Sequence, residues 1–345
     1  MRKFSILHVI LLFAGLTNRA AAQEKQPLRL VQTISIPGIQ GRIDHVDADV
    51  EGQRLFVAGL ENGSLEVVDL AAGKWIRSIH GFKKPQGVWY VRELNKLFVA
   101  SGDDGMVRVF RGDSLELIDS VKLEIGPNRI IYDPPTGYLY VGYGGQDAGF
   151  EYGRVGIIDA RSDKYLGGDM ITFGHPAHPA EILLDQAGQR ILVSDSRADR
   201  IYVFNTRNCQ LVMTWPARGK DPGDMAFDQV HHRLFVGTRT PPEMTVYDSS
   251  SGQEVASLPT GEGMDGVYYD PRHKRVYVSG GRGFDVGHVY VYQQKDADRY
   301  ELVGTVPTRP GAGTSLWIPS LNRYVVPAPA HDQRDAAILV FEPEP

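Results

Sequence analysis

The chain has 345 residues, 42% hydrophobic and 23% charged, with 38 Gly, 21 Pro and a formal net charge of -5. This globular composition excludes collagen-like, coiled-coil and disordered chains, and the acidic balance excludes a surface built to track phosphates, so nucleic acid is not an expected partner. The single cysteine, Cys209, rules out an intrachain disulfide, so packing must hold the fold.

In chain order, residues 1–22 come first and read as a signal peptide. Arg2 and Lys3 precede an apolar run from Phe4 to Leu16, and Ala20-Ala21-Ala22 before Gln23 is a small-residue cleavage pattern. The run is shorter than the ~20 residues a membrane span needs, and no later segment reaches that length without charges. The expectation is therefore a single domain, residues 23–345, exported to the periplasm or beyond, with no membrane span. Losing the three basic residues of the leader takes the formal charge from -5 to -8.

A strand is predicted next, over Leu30 to Ile36, that stands outside any repeat. From there a six-residue pattern recurs: basic or polar, apolar, aromatic or aliphatic, Val, small, small. It reads Arg54-Leu-Phe-Val-Ala-Gly59, Lys96-Leu-Phe-Val-Ala-Ser101, Tyr138-Leu-Tyr-Val-Gly-Tyr143 and Arg190-Ile-Leu-Val-Ser-Asp195. It continues as Arg233-Leu-Phe-Val-Gly-Thr238, Arg275-Val-Tyr-Val-Ser-Gly280 and, most weakly, Arg323-Tyr-Val-Val-Pro-Ala328. The spacings are 42, 42, 52, 43, 42 and 48. Each copy is β-branched and aromatic and bounded by turn residues, which is a strand signature. An apolar strand precedes each copy, usually ending in Asp (Asp49, Asp133, Asp185, Asp228, Asp270), and two more strands come after it. In the third repeat the last strand, Tyr165 to Thr172, is broken by Gly.

Four strands per repeat, seven times, predict an all-β fold: a seven-bladed β-propeller of four-stranded antiparallel blades. The seventh repeat stops after its third strand, at Phe341. The unmatched Leu30–Ile36 strand is expected to join it and close the ring.

The second-strand pattern resembles the YVTN-repeat propellers, the secreted YncE-like group, over about Leu28 to Phe341. Where that family's motif has Asn, these copies carry Gly59, Ser101, Tyr143, Asp195, Thr238, Gly280 and Ala328. The resemblance implies the fold. Function varies among such propellers, and some neighbouring ones are cation-dependent lactone hydrolases.

Function on a propeller gathers where the inner strands begin, at the mouth of the central channel. Five residues before Asp49 and its equivalents stand Asp44, Gln86, Asn128, Ala180, Gly223, Asp265 and Thr314. Four before stand His45, Gly87, Arg129, Glu181, Asp224, Gly266 and Ser315. Three before, every residue is apolar. The two polar rings must face water, a ligand or each other. Carboxylates crowded there repel, by about 4 kcal/mol per pair at ~4 Å and an effective dielectric of ~20. They call for an arginine, a shared proton or a cation, and Arg42 and Arg129 are at hand. A hard ion, Ca²⁺ or Mg²⁺, would take Glu181, Asp224 and Asp265 as its candidate ligands. His45, His80, His175, His178 and His331 fall on the same face, with His45 and His178 as candidate proton carriers. His231, His232 and His273 fall on the opposite face and receive no role. Two Gly-rich insertions on the mouth face, Gly144 to Gly153 and Gly281 to Gly287, carry Phe150, Tyr152 and Phe284.

Two functions fit this pattern. One is binding of a small molecule or an extracytoplasmic protein at the mouth, through Arg42, Asp44, His45, Gln86, Asn128, Arg129, Glu181, Asp224, Asp265 and His331. The other is a divalent-cation-dependent hydrolase. The four Trp do not recur as a repeat motif, which argues against quinone-binding propellers. The lack of Cys-x-x-Cys-His excludes covalent haem.

Overall fold

The computed structural model describes residues 26–145 and 148–345, with the backbone alone for 168–170. The expected leader, residues 1–22, lies outside the described residues. So do residues 146–147 of the first Gly-rich insertion.

Seven four-stranded antiparallel sheets make up the fold. Strand β1 (Leu28–Ile36) is set aside for the last blade. The first blade is β2 (Val46–Asp49), β3 (Arg54–Gly59), β4 (Ser64–Asp69) and β5 (Lys74–His80). The second is β6 (Pro85–Val91), β7 (Lys96–Ser101), β8 (Met106–Arg111) and β9 (Leu117–Lys122). The third is β10 (Ile130–Asp133), β11 (Tyr138–Gly144), β12 (Gly153–Asp159) and β13 (Lys164–Thr172), so the Gly-broken segment is a strand. The fourth is β14 (Pro179–Asp185), β15 (Arg190–Asp195), β16 (Arg200–Asn205) and β17 (Leu211–Pro216). The fifth is β18 (Lys220–Asp228), β19 (Arg233–Thr240), β20 (Pro242–Asp248) and β21 (Glu254–Pro259). The sixth is β22 (Gly266–Asp270), β23 (Arg275–Gly280), β24 (His288–Gln294) and β25 (Tyr300–Pro307). The seventh is β26 (Leu316–Ile318), β27 (Arg323–Ala328), β28 (Ala336–Pro343) and β1, which pairs with β28 from Leu28↔Pro343 to Ile36↔Ala336. The ring closes as expected.

Why the six-residue copies are continuous apolar runs, not alternating ones, is visible in their burial. Leu55 to Gly59, Leu97 to Ser101 and Ile191 to Asp195 are buried at every position, because each second strand is covered by a blade on either side. The small fifth residue of the motif has a steric cause. A Cβ on Gly237 would collide with Met264 Cε of the next blade. Where that residue is Ser it ties the blades: Ser194 Oγ donates to the Gly223 carbonyl at 2.8 Å, and Ser279 Oγ to that of Gly313 at 2.5 Å.

The Asp that ends the inner strands builds the next turn. Asp49 Oδ1 accepts the Gly52 N–H at 3.0 Å while Oδ2 takes Arg54 at 2.6 Å. Asp185 does the same with Gly188 and Arg190. In the fifth and sixth blades His231 and His273 replace the arginine, their Nδ1 atoms 2.7 and 2.6 Å from Asp228 and Asp270. Those histidines are turn residues. The residue before every second strand (Gln53, Asn95, Gly137, Gln189, His232, Lys274, Asn322) has a positive φ, although only one is glycine. Asp-anchored hydrogen bonds help to hold several of these turns against that cost. The outer strands are the exposed ones, and bulges interrupt their pairing in all seven blades, for example between Val109 and Phe110. That blunts edges otherwise open to strand addition.

Candidate functional site at the channel mouth

The backbone ladder continues past the start of β2, since Asp44 N–H reaches the Ala58 carbonyl at 2.8 Å and Ala58 N–H reaches that of His45 at 3.0 Å. This pins the two polar rings at the top of the channel. Above them lies a cavity of about 260 Å³, lined among others by Arg42, Asp44, His45, Asn128, Asp224 and Asp265.

Its wall is organised around Asp265. Arg239 Nη2 lies 2.7 Å from Asp265 Oδ1, Arg282 Nη1 3.3 Å from the same oxygen, and Arg42 Nη2 3.6 Å from Oδ2. Arg42 also meets Asp44 at 3.2 Å, and Arg239 meets Asp221 at 2.8 Å. Burial works to raise the Asp265 carboxyl, but Arg282, Arg239 and Arg42 outweigh it and hold it below the usual range. Arg282 moves the other way: burial lowers it, and the neighbouring Arg239 and Arg42 lower it further. Three guanidiniums share Asp44, Asp221 and Asp265, and Arg282 alone has no carboxylate to itself, so it is the group on this side that can take a further anion.

Asp224 faces the opposite problem. It is buried, lines the cavity, and makes no side-chain hydrogen bond or ion pair among the described residues. Burial raises its carboxyl, Asp265 adds to the shift, and Arg129 pulls back. Arg42 Nε and Asn128 Oδ1 are also buried with no partner among the described residues.

Beneath the cavity a buried cluster, the septum, lies between it and a second chamber. Arg129 grips Glu181 through Nε at 2.7 Å and Nη2 at 2.5 Å. Its Nη1 donates to His45 Nδ1 at 2.8 Å, which leaves the His45 proton on Nε2, 3.7 Å from Asp44 Oδ1. Burial lowers the His45 pKa, Arg129 lowers it too, and Asp44 pulls it up, so the ring is neutral. Burial pushes the Glu181 carboxyl upward against Arg129. For Arg129, burial is outweighed by Glu181 and Asp224, and the guanidinium stays charged. Below the septum a second chamber of about 290 Å³ runs along the inner strands and is mostly apolar.

The structure thus sorts the sequence candidates. Arg42, Asp44, His45, Gln86, Asn128, His178, Asp224 and Asp265 line the cavity. Arg129 and Glu181 do not line it and instead line the chamber beneath. His331 stands away from the cavity, half-exposed, 3.1 Å from Asp332. His175 and His178 are not a free pair: Asp195 takes His175 Nε2 at 2.6 Å and the His178 N–H at 3.0 Å, and His178 Nε2 faces Asn128 Nδ2 at 3.4 Å. Among the described residues no group of three or more His, Cys, Asp or Glu is arranged to hold a metal ion. Sequence reasoning missed Arg239, at the end of β19, and Arg282, in the second insertion. The signal was present, because loops joining second and third strands share the mouth face. The aromatics of the insertions are the more conspicuous feature in sequence, yet Phe284 is exposed and Phe150 stacks on Tyr152, 5.4 Å between ring centres.

Fold and site together define an all-β, seven-bladed propeller with a polar, partly charge-frustrated mouth. A chain of the Kuenenia stuttgartiensis hydrazine synthase superposes with a TM-score of 0.61 at 18% identity, over 71% of this chain and 81% of that one. A chain of a mitotic checkpoint complex superposes with a TM-score of 0.71 at 11% identity, over 99% of both. At these identities the likeness is one of fold alone. No family model matches the chain, and no curated protein matches it in sequence.

Proposed function

We propose that the protein is an exported YVTN-type propeller that binds a small molecule at the mouth of its channel. Export is supported by the basic start, apolar run and small-residue site of residues 1–22, and the family by the seven second-strand copies. Asp224 carries the binding reading. A buried carboxylate without a partner costs stability unless something outside the chain satisfies it. Across the cavity Arg282 has no carboxylate of its own and shares Asp265 with Arg42 and Arg239. A ligand that answers both sides has an anionic group for the guanidiniums and a donor for Asp224, as an amino acid or a hydroxy acid does.

The hydrolase reading needs Glu181, Asp224 and Asp265 to share one ion. Glu181 is committed to Arg129 in the septum and Asp265 to three guanidiniums, so binding is preferred. Stoichiometric Ca²⁺ or Mg²⁺ in protein purified without chelator would reverse that preference.

A thermal-shift screen of amino and hydroxy acids tests the proposal. A hit should weaken about tenfold or more, ~1.4 kcal/mol, in Asp224→Asn and in Arg282→Gln. Ligands whose affinity ignores both substitutions would sink it.

A further inference from the structure

The chamber below the septum is a separate space. Its lining shares only His45 with that of the mouth cavity, and its walls are of another kind: Trp89, Ile131, Leu183, Phe227 and Tyr268 line it beside the Arg129–Glu181 pair. The tyrosine hydroxyls near it are already used, Tyr268 Oη donating to the Ser315 carbonyl at 2.8 Å and Tyr269 Oη to Gln294 at 2.6 Å. What these rings offer the chamber is aromatic surface.

One residue breaks the pattern. Asp47 occupies the inner-strand position held in the other six blades by Trp89, Ile131, Leu183, Ala226, Tyr268 and Trp317. It lines the chamber, accepts the Tyr90 N–H at 2.6 Å, and has no ion-pair partner among the described residues. Burial pushes its carboxyl up to about 6, with the N–H groups of Tyr90 and Ala48 and the charge of Arg129 pulling back. The only other carboxylate lining the chamber, Glu181, is held by Arg129.

We propose that the lower chamber is a second binding site, for a small protonated amine carried on a flat apolar body. Asp47 would hold the ammonium, whose approach restores the solvation that burial removes. Aromatic faces attract a cation and accept a planar group. A metal ion would find a single free carboxylate, too few oxygens for a hard cation. A neutral apolar guest would leave Asp47 dry and unpaired. The volume lies near the lower end of the range for small-molecule sites, about 300 Å³. The ligand is therefore compact, one ring and a short chain.

The probe is 2-phenylethylamine, with 2-phenylethanol as its neutral twin, each titrated by calorimetry into the full chain. The amine should bind at least tenfold more tightly than the alcohol. Asp47→Asn should erase that difference. Leu183→Trp, which fills the chamber, should abolish binding of both. Should Leu183→Trp fail to fold, quenching of tryptophan fluorescence by the amine, lost in Trp89→Phe, places the guest instead. Equal affinities for the twins, an unchanged preference in Asp47→Asn, or no amine binding at millimolar concentration would each overturn the proposal. Because none of these readouts involves Asp224 or Arg282, failure here leaves the mouth proposal standing, and the reverse holds.

Discussion

The two halves of the channel are built from the same seven inner strands, yet they solve opposite problems. Above the septum, charge answers charge: Arg42, Arg239 and Arg282 share Asp44, Asp221 and Asp265. Below it, the walls are mostly apolar, Glu181 is taken by Arg129, and one acid without an ion pair, Asp47, is set among aromatic rings. A shift of two residues along a strand separates these environments. What differs is the supply of partners. The upper rings are met by charged groups from second strands and the loops beyond them, and the chamber below is lined by inner strands.

The septum divides the two halves, and its removal should have the largest effect. Glu181→Leu leaves the Arg129 guanidinium buried without its acceptor. A loss of about 3–5 kcal/mol is expected in urea or guanidinium unfolding. Replacing both partners, Arg129→Met with Glu181→Leu, should recover most of it, because an apolar pair of similar volume needs no desolvation. If the double variant is as unstable as the single one, the septum is more than an isolated pair.

Asp47→Asn sharpens the contrast from below. A carboxyl whose folded pKa, about 6, lies above its unfolded value holds extra protons in the folded state between roughly pH 4 and 6. Its contribution is therefore present in acid and lost as pH rises through 6. Asparagine escapes that loss and should stabilise the protein by about 1–3 kcal/mol at pH 7, with no gain near pH 4. Unfolding curves at the two pH values decide it, and a loss of stability at pH 7 would show Asp47 to be paired.

The smallest effect belongs to His45. Its folded pKa lies below the unfolded value of about 6.5, so the unfolded chain binds the extra proton. Stability from this residue is present above that value and declines as pH falls below it. The slope is at most ~1.4 kcal/mol per pH unit. His45→Gln should flatten the decline between about pH 6.5 and 5. An unaltered slope would mean that another group protonates first.

Much of the fold was legible because its causes are local or involve only the next blade. The run Arg190–Asp195 announces a strand covered on both sides, and Asp185 announces its own turn with Gly188. The closure by β1 followed from a missing partner, although the strand begins at Leu28, two residues earlier than expected. The site was legible in part. The polar rings were found by counting, which placed Asp44, Asp224 and Asp265 correctly at the mouth. Counting could not say that Glu181 turns to Arg129 and leaves the cavity, nor that His331 stays outside it. Nor did it bring in Arg239 and Arg282, whose side chains reach Asp265 from the end of β19 and from the second insertion.

By itself the sequence determined seven units, four strands in each, and a ring sealed by its two ends, because burial of each unit depends on a pattern repeated along the chain. Only the tertiary structure decided which charge meets which. Arg129 meets Glu181 and Arg239 meets Asp265, each in the next blade, while Arg42 and Arg282 converge on the same Asp265, and strand signatures do not say which side chains turn toward each other. The same closure divides one channel into a charged mouth and an apolar chamber.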